Sequence, residues 1–291
     1  MALPLRAPTA AAPGPLAGLL AHASIEVMPR TAAKIPDLRA LLPAGAEVFV
    51  AHVDGTPPAD MQATVARLAA EGFRPVPHIP ARSVASRAML ADWVAAYRAA
   101  GARQALVLAG GAPRPAGDLL DSMQLLDSGL FDGFERVFVA GHPEGNRDID
   151  PQGGEAQAMA ALAAKQDWSR RTGVPVTIVT QFLFDPAPAI DWTARLTAAG
   201  ITLPVRLGAA GPTRLQTLIR YALACGVGAS LAVLQRRARD LTKLVVPVTP
   251  ETLLTAFAWH KAAHPDWQVE GAHLFPLGGI DAAARWLAEN R

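Results

Sequence analysis

A chain of 291 residues that is 51% hydrophobic and 18% charged carries a large core, which excludes a disordered protein. Its 27 basic and 25 acidic residues leave a formal net charge of +2. The arginines are scattered apart from Arg236-Arg237-Ala238-Arg239, so no basic face marks a nucleic-acid binder.

Taken in chain order, residues 1–16 are Ala- and Pro-rich and read as a flexible N-terminal segment. Pro13 and Pro15 interrupt its apolar stretch, which makes it a poor signal peptide. No uncharged apolar run reaches the roughly 18 residues of a membrane helix, so the expectation is a soluble cytoplasmic protein with no membrane partner. From there short β-type runs alternate with Ala/Leu-rich helical stretches. Strands are predicted at 23–28, 47–53, 74–79, 104–108, 136–140, 176–182, 203–207 and 271–277. Helices are predicted at 61–71, 83–100, 155–171, 191–199 and 214–224, with stops at Gly72, Gly101, Gly173, Gly200 and Gly226. Eight strands with helical crossovers are the count of a (β/α)8 TIM barrel, here a single α/β domain over 17–291. An open doubly wound sheet is the rival, weakened by the lack of a Gly-x-Gly-x-x-Gly turn after the first strand. The least regular stretch is 227–250, in which 236–244 reads as a lid over the barrel mouth or as a solvated basic helix. Cys225, the only cysteine, has apolar neighbours and reads as a buried small hydrophobe; one cysteine allows neither an intrachain disulfide nor a cysteine-cluster metal site.

The residues that could carry chemistry sit at strand ends. Glu26 interrupts the apolar run Ile25-Glu26-Val27-Met28. It is either a solvated or salt-bridged strand residue, or a general acid whose pKa is raised by apolar surroundings. His52 and His78 both close strands and are expected to face the mouth. Two histidines with no carboxylate at ligand spacing do not make a metal site, and no metal is expected. Gly110 and Gly111 after the fourth strand, and Gly141-His142-Pro143-Glu144 after the fifth, would let a ligand approach the backbone closely. Gln181 lies at the end of the sixth strand, 176–182, with an amide that can donate and accept at once, or that is satisfied by the backbone. Phe182 and Phe184 alternate, so one is expected to pack inward and the other to line the pocket.

These segments, in this order, resemble the methylenetetrahydrofolate reductase family. The motifs that carry the likeness are Ile25-Glu26-Val27-Met28-Pro29, Pro77-His78, Ala140-Gly141-His142-Pro143-Glu144, the stretch from Lys165 to Asp185 with its Thr180-Gln181-Phe182-Leu183-Phe184-Asp185 end, and Gly271-Ala272-His273-Leu274-Phe275. The resemblance implies an oxidoreductase of one-carbon metabolism, linked to methionine biosynthesis, that interconverts 5,10-methylenetetrahydrofolate and 5-methyltetrahydrofolate with FAD and NAD(P)H. It implies Glu26 as the acid that opens the imidazolidine ring, Gln181, Phe184 and Gly111 against the folate, and His52, His78, Gly110, Ala140, His142 and Lys165 against the cofactor. The departures fall on the flavin side. Ala109-Gly110-Gly111 replaces Arg-Gly-Asp, Val53 replaces a Thr, His142 replaces a Tyr, and one basic residue of a pair, Lys165, remains. A flavin-free tetrahydrofolate-dependent methyltransferase or demethylase, and a non-catalytic folate-binding subunit, therefore stand as alternatives; a homo-oligomer is also left open.

Overall fold

The computed structural model describes residues 14–224 and 247–291. Cys225, the stop at Gly226 and the proposed lid at 236–244 lie outside the described residues, as does most of the N-terminal segment. The strands are β1 (Ser24–Val27), β2 (Glu47–Val50), β3 (Arg74–Pro80), β4 (Gln104–Leu108), β5 (Arg136–Gly141), β6 (Val176–Leu183), β7 (Val205–Ala210) and β8 (Val269–Phe275). All are parallel, and each pairs with its sequence neighbours until β8 closes on β1. The closed order 1 to 8 is that of a (β/α)8 TIM barrel and leaves no room for the open-sheet rival.

The helices are α1 (Pro15–Leu20), α2 (Pro29–Ala32), α3 (Pro58–Ala70), α4 (Arg87–Ala99), α5 (Ser122–Leu126), α6 (Ala156–Thr172), α7 (Pro186–Ala198), α8 (Leu215–Ala224), α9 (Glu251–Ala263) and α10 (Ile280–Asn290). α1 opens at Pro15, inside the segment expected to be loose. At Gly72, Gly101, Gly173 and Gly200 the backbone turns left-handed (φ between 73° and 100°), the conformation that ends a helix and that a side chain resists.

Alternation along the strands sorts the core into two layers. Outward residues such as Ile25, Val48, Val50, Ile79, Val107, Val139 and Ile178 pack under the helices. Inward residues Phe49, Val76, Leu106, Phe138 and Val179 fill the middle of the barrel. Below them, at the N-terminal end, Arg206 lies 4% exposed and joins Glu47 to Glu270, with its Nε 2.8 Å from Glu270 Oε1 and its guanidinium over the Phe138 ring at 5.1 Å. Arg136 donates to the same Glu270 oxygen at 3.0 Å.

Several strand ends depart from expectation. β2 stops at Val50, short of the expected 53, with the Ala51 N–H still donating to the Val27 carbonyl of β1 at 2.8 Å. β7 continues to Ala210 through Gly208-Ala209-Ala210, residues of low strand propensity held by their neighbours on both sides. β8 begins at Val269 and carries a register shift opposite Val205 and Arg206. β6 also breaks register between Val179 and Phe182. There Thr180 Oγ1 accepts the Gly208 N–H at 2.8 Å, and a Cβ on residue 208 would fall 2.5 Å from the Gln181 carbonyl oxygen. Only glycine fits that close approach.

Candidate functional site

At the C-terminal end of the barrel three polar side chains meet. Glu26 follows Ser24 by two residues on β1, so both point inward, and they face His78 from β3 and His273 from β8. His78 Nε2 stands 3.4 Å from Glu26 Oε2, and His273 Nε2 stands 3.8 Å from the same oxygen. Behind His273, Ser24 Oγ lies 2.9 Å from Nδ1. The His273 ring is wedged between Phe49 (centroids 4.5 Å) and Phe275 (4.7 Å). His78 Nε2 is buried without an aligned hydrogen bond among the described residues. The Glu26 side chain keeps 20% of its surface open.

The electrostatics correct one expectation. Burial pushes the Glu26 carboxyl up, as the sequence led one to expect. The contacts with His273 and His78 outweigh it, and the net direction is below the ordinary carboxylate value. Burial drives His78 down to about 4 and also lowers His273. At neutral pH both imidazoles are thus uncharged and the formal charge of the group rests on Glu26. Glu26 is neither a solvated strand residue nor an acid that waits protonated in apolar surroundings.

A pH effect follows. His78 has a lower pKa folded than its ordinary 6.5, so the unfolded chain binds the extra proton as pH falls. Stability is full above pH 6.5 and is lost down to about pH 4; a shift of this size amounts to on the order of 3 kcal/mol. Urea unfolding at a series of pH values should show this slope in the wild type and a shallower one in His78→Asn. Equal slopes would contradict a neutral, buried imidazole.

The other expected site residues surround this group at differing distances. His52 follows β2 at the C-terminal rim, close enough to His78 to act on its charge but turned away from Glu26. Its ring lies over Trp93 of α4 (centroids 5.2 Å), on a rim cavity of about 420 Å³ that Arg82 and Arg114 also line and that neither Glu26 nor His78 reaches. Gly110 has φ 88°, and a Cβ there would meet Pro80 at 2.8 Å; Gly111 is exposed, with nothing near it. Ala140 is an inward position of β5, and Gly141 beside it is needed because a Cβ would lie 2.4 Å from Ile178 Cγ2 and 2.9 Å from Trp192. His142 and Lys165 are close enough that the Lys165 charge, after burial, helps lower His142 to about 4. Lys165 is 7% exposed, and burial brings it down to about 8 against the pull of Asp121.

Gln181 sits on the β6 bulge, where its Oε1 accepts the Phe182 N–H at 3.2 Å. Phe182 is buried on Phe275 (5.5 Å), while half-buried Phe184 packs on Phe182 (5.7 Å) and lines a small cavity of about 100 Å³ with Pro186, Leu218 and Pro250. Ser24 and His273 were not singled out from the sequence. The signal was the i, i+2 spacing of Ser24 and Glu26, which puts both on one strand face, and a lone His in the apolar run of β8.

The diphosphate of a flavin or of a nicotinamide dinucleotide needs a charged cradle; Arg82 and Arg114 on the rim cavity would supply one, whereas His142 is uncharged and Lys165 is buried. Among the described residues, no cluster of three His, Cys, Asp or Glu has the arrangement of a metal site, and no helix is long and apolar enough to cross a membrane.

No protein-family model matches the chain. Its fold is similar to that of a solved structure from Clostridium thermocellum. That structure is described as an uncharacterized protein that binds two copies of 5-methyl-5,6,7,8-tetrahydrofolic acid. The TM-score is 0.59 at 10% identity, over 93% of this chain and 96% of that one. A second solved structure, oxaloacetate acetylhydrolase with the inhibitor 3,3-difluorooxalacetate, aligns over 86% of this chain and 94% of that one at 14% identity and a TM-score of 0.43. At these identities the first likeness is one of fold.

Proposed function

We propose that the protein binds a reduced folate at the C-terminal mouth of the barrel and acts there as a methylenetetrahydrofolate reductase-like oxidoreductase, taking hydride directly from NAD(P)H. The observation that carries this reading is the Glu26 carboxylate bracketed by His78 and His273 at the open end of the barrel. The folate ligand of the C. thermocellum protein of similar fold is consistent with it.

The chemistry needs three things. A proton must reach N10 so that the imidazolidine ring opens, the N5 iminium cation so formed must be held, and hydride must then reach the exposed methylene carbon. The product is 5-methyltetrahydrofolate, with NAD(P)+ released. A carboxylate that keeps its charge at neutral pH lowers the energy of an iminium beside it. The proton enters from solvent and is relayed to N10 through the Glu26–His78 pair, whose nitrogen and oxygen stand 3.4 Å apart. Gln181 uses its Oε1 on the Phe182 N–H, which leaves the NH2 to donate to an acceptor on the pterin edge. Phe184 and the Gly110-Gly111 backbone flank the ligand.

The test is turnover of 5,10-methylenetetrahydrofolate with NADPH or NADH by the purified protein, with and without added FAD. The expected result is a colourless protein whose NAD(P)H oxidation needs folate and does not respond to FAD. Folate binding without turnover would reduce the protein to a binding subunit. Activity that appears only with FAD would restore the flavin and contradict direct hydride transfer from NAD(P)H.

A further inference from the structure

We propose that Ser24 and His273 are positioning residues that hold the proton of the site on Glu26 and His78. Ser24 would fix His273 as its Nε2–H tautomer, with the N–H turned to the Glu26 carboxylate. The role in turnover rests on the reading above; the tautomer does not.

The geometry allows two proton arrangements along Ser24, His273 and Glu26. In one, His273 Nδ1–H donates to Ser24 Oγ across the 2.9 Å contact. The bare Nε2 lone pair then faces the Glu26 carboxylate at 3.8 Å, lone pair against negative charge in a buried site. In the other, the Ser24 hydroxyl donates to Nδ1, and Nε2–H points at the carboxylate. Only the second is attractive at both ends, and the low local dielectric magnifies the difference. The ring cannot escape by turning. Ser24 and His273 are paired across β1 and β8, both are essentially inaccessible, and Phe49 and Phe275 hold the two sides of the imidazole.

Burial, helped by Arg206, keeps His273 from being the proton carrier against the pull of Glu26 and Glu47. Glu26 faces it from β1 and His78 from β3, while Arg206 of β7 acts on it from below and is partly offset by Glu47 of β2. A second proton on Nδ1 would have to reverse the Ser24 hydroxyl and would lie near the Arg206 cation. His78 has no such restraint. Its Nε2 is buried, lacks an aligned partner and stands nearer to Glu26 than His273 does. The proton exchanged with a ligand therefore resides on Glu26 or on His78, and Ser24 and His273 decide which by fixing one donor on the carboxylate.

The experiment is NMR of the full chain, with carboxyl-labelled glutamate to follow Glu26 from pH 3 upward and 15N-histidine to follow the imidazoles between pH 5.5 and 8.5. The His273 signals are assigned by their loss in His273→Gln. In the wild type His273 should show a protonated Nε2 and a bare, hydrogen-bonded Nδ1 at every pH. In Ser24→Ala the tautomer preference should be lost. The Glu26 midpoint should rise, because the Nε2–H 3.8 Å away no longer stays turned to the carboxylate. If the enzyme turns over folate, the acidic limb of its pH profile should move by the same amount. A wild-type His273 protonated on Nδ1, or titrating in this range, would overturn the proposal even if Ser24→Ala does not fold. An unchanged spectrum in Ser24→Ala would do the same. Lack of folate turnover with the expected spectrum would count against the function and leave the tautomer assignment standing.

Discussion

Arg206→Met should lower the free energy of unfolding by about 3–5 kcal/mol, the range for removing one partner of a buried ion pair. Arg206 is 4% exposed and is the cation between Glu47 and Glu270 at the bottom of the barrel. Methionine replaces much of its volume, so the lost packing over Phe138 is small beside the charge left behind. Two carboxylates would then face each other across the barrel floor. Arg136 and Arg74 reach Glu270 and Glu47 only from more exposed positions. Arg206→Lys should recover part of the loss, because an ammonium restores the charge without the fork that serves both carboxylates at once. Urea denaturation at neutral pH measures this directly. An Arg206→Met midpoint equal to the wild type would mean that the network contributes nothing to stability.

Glu26→Gln should cut folate turnover at least about 100-fold, the low end for loss of an acid–base group, with little change in folding. The amide keeps the shape of the side chain. It cannot hold the iminium charge or exchange a proton with His78, 3.4 Å away. The fold should tolerate it because the change removes a buried charge, and the two facing imidazoles are neutral and can bond an amide as readily as a carboxylate. The readout is NAD(P)H oxidation with 5,10-methylenetetrahydrofolate at saturating folate, beside a thermal melt of the same preparation. Full activity in a folded variant would make Glu26 structural.

The barrel was legible in the sequence because its strands are short apolar runs between helices that end at glycine. Strand 104–108 coincides with β4, and Gly72, Gly101, Gly173 and Gly200 all turn left-handed as helix stops do. Strand ends were less legible. The β6 bulge depends on Gly208 of the neighbouring strand, a contact made across the sheet that no local pattern carries. The site was legible in part. An isolated carboxylate in an apolar strand pointed to Glu26, and its inward face follows from parity. Its protonation did not follow, because it depends on His273, almost 250 residues away, and on the serine behind it. His52 and His78 looked equivalent as strand-end histidines. β2 ends before His52, whose ring packs against Trp93, whereas β3 carries His78 into the barrel.

The central claim is that a reduced folate binds at the mouth formed by Glu26, His78 and Gln181. Calorimetric titration of 5-methyltetrahydrofolate into the wild type and into Gln181→Glu tests it most directly. The glutamate keeps an oxygen for the Phe182 N–H and puts a negatively charged acceptor in place of the NH2 that would face the ligand. The account predicts saturable binding by the wild type and binding at least about 10-fold weaker by the variant, the effect of one lost hydrogen bond. No binding by the wild type, or equal affinity in the two proteins, would contradict it.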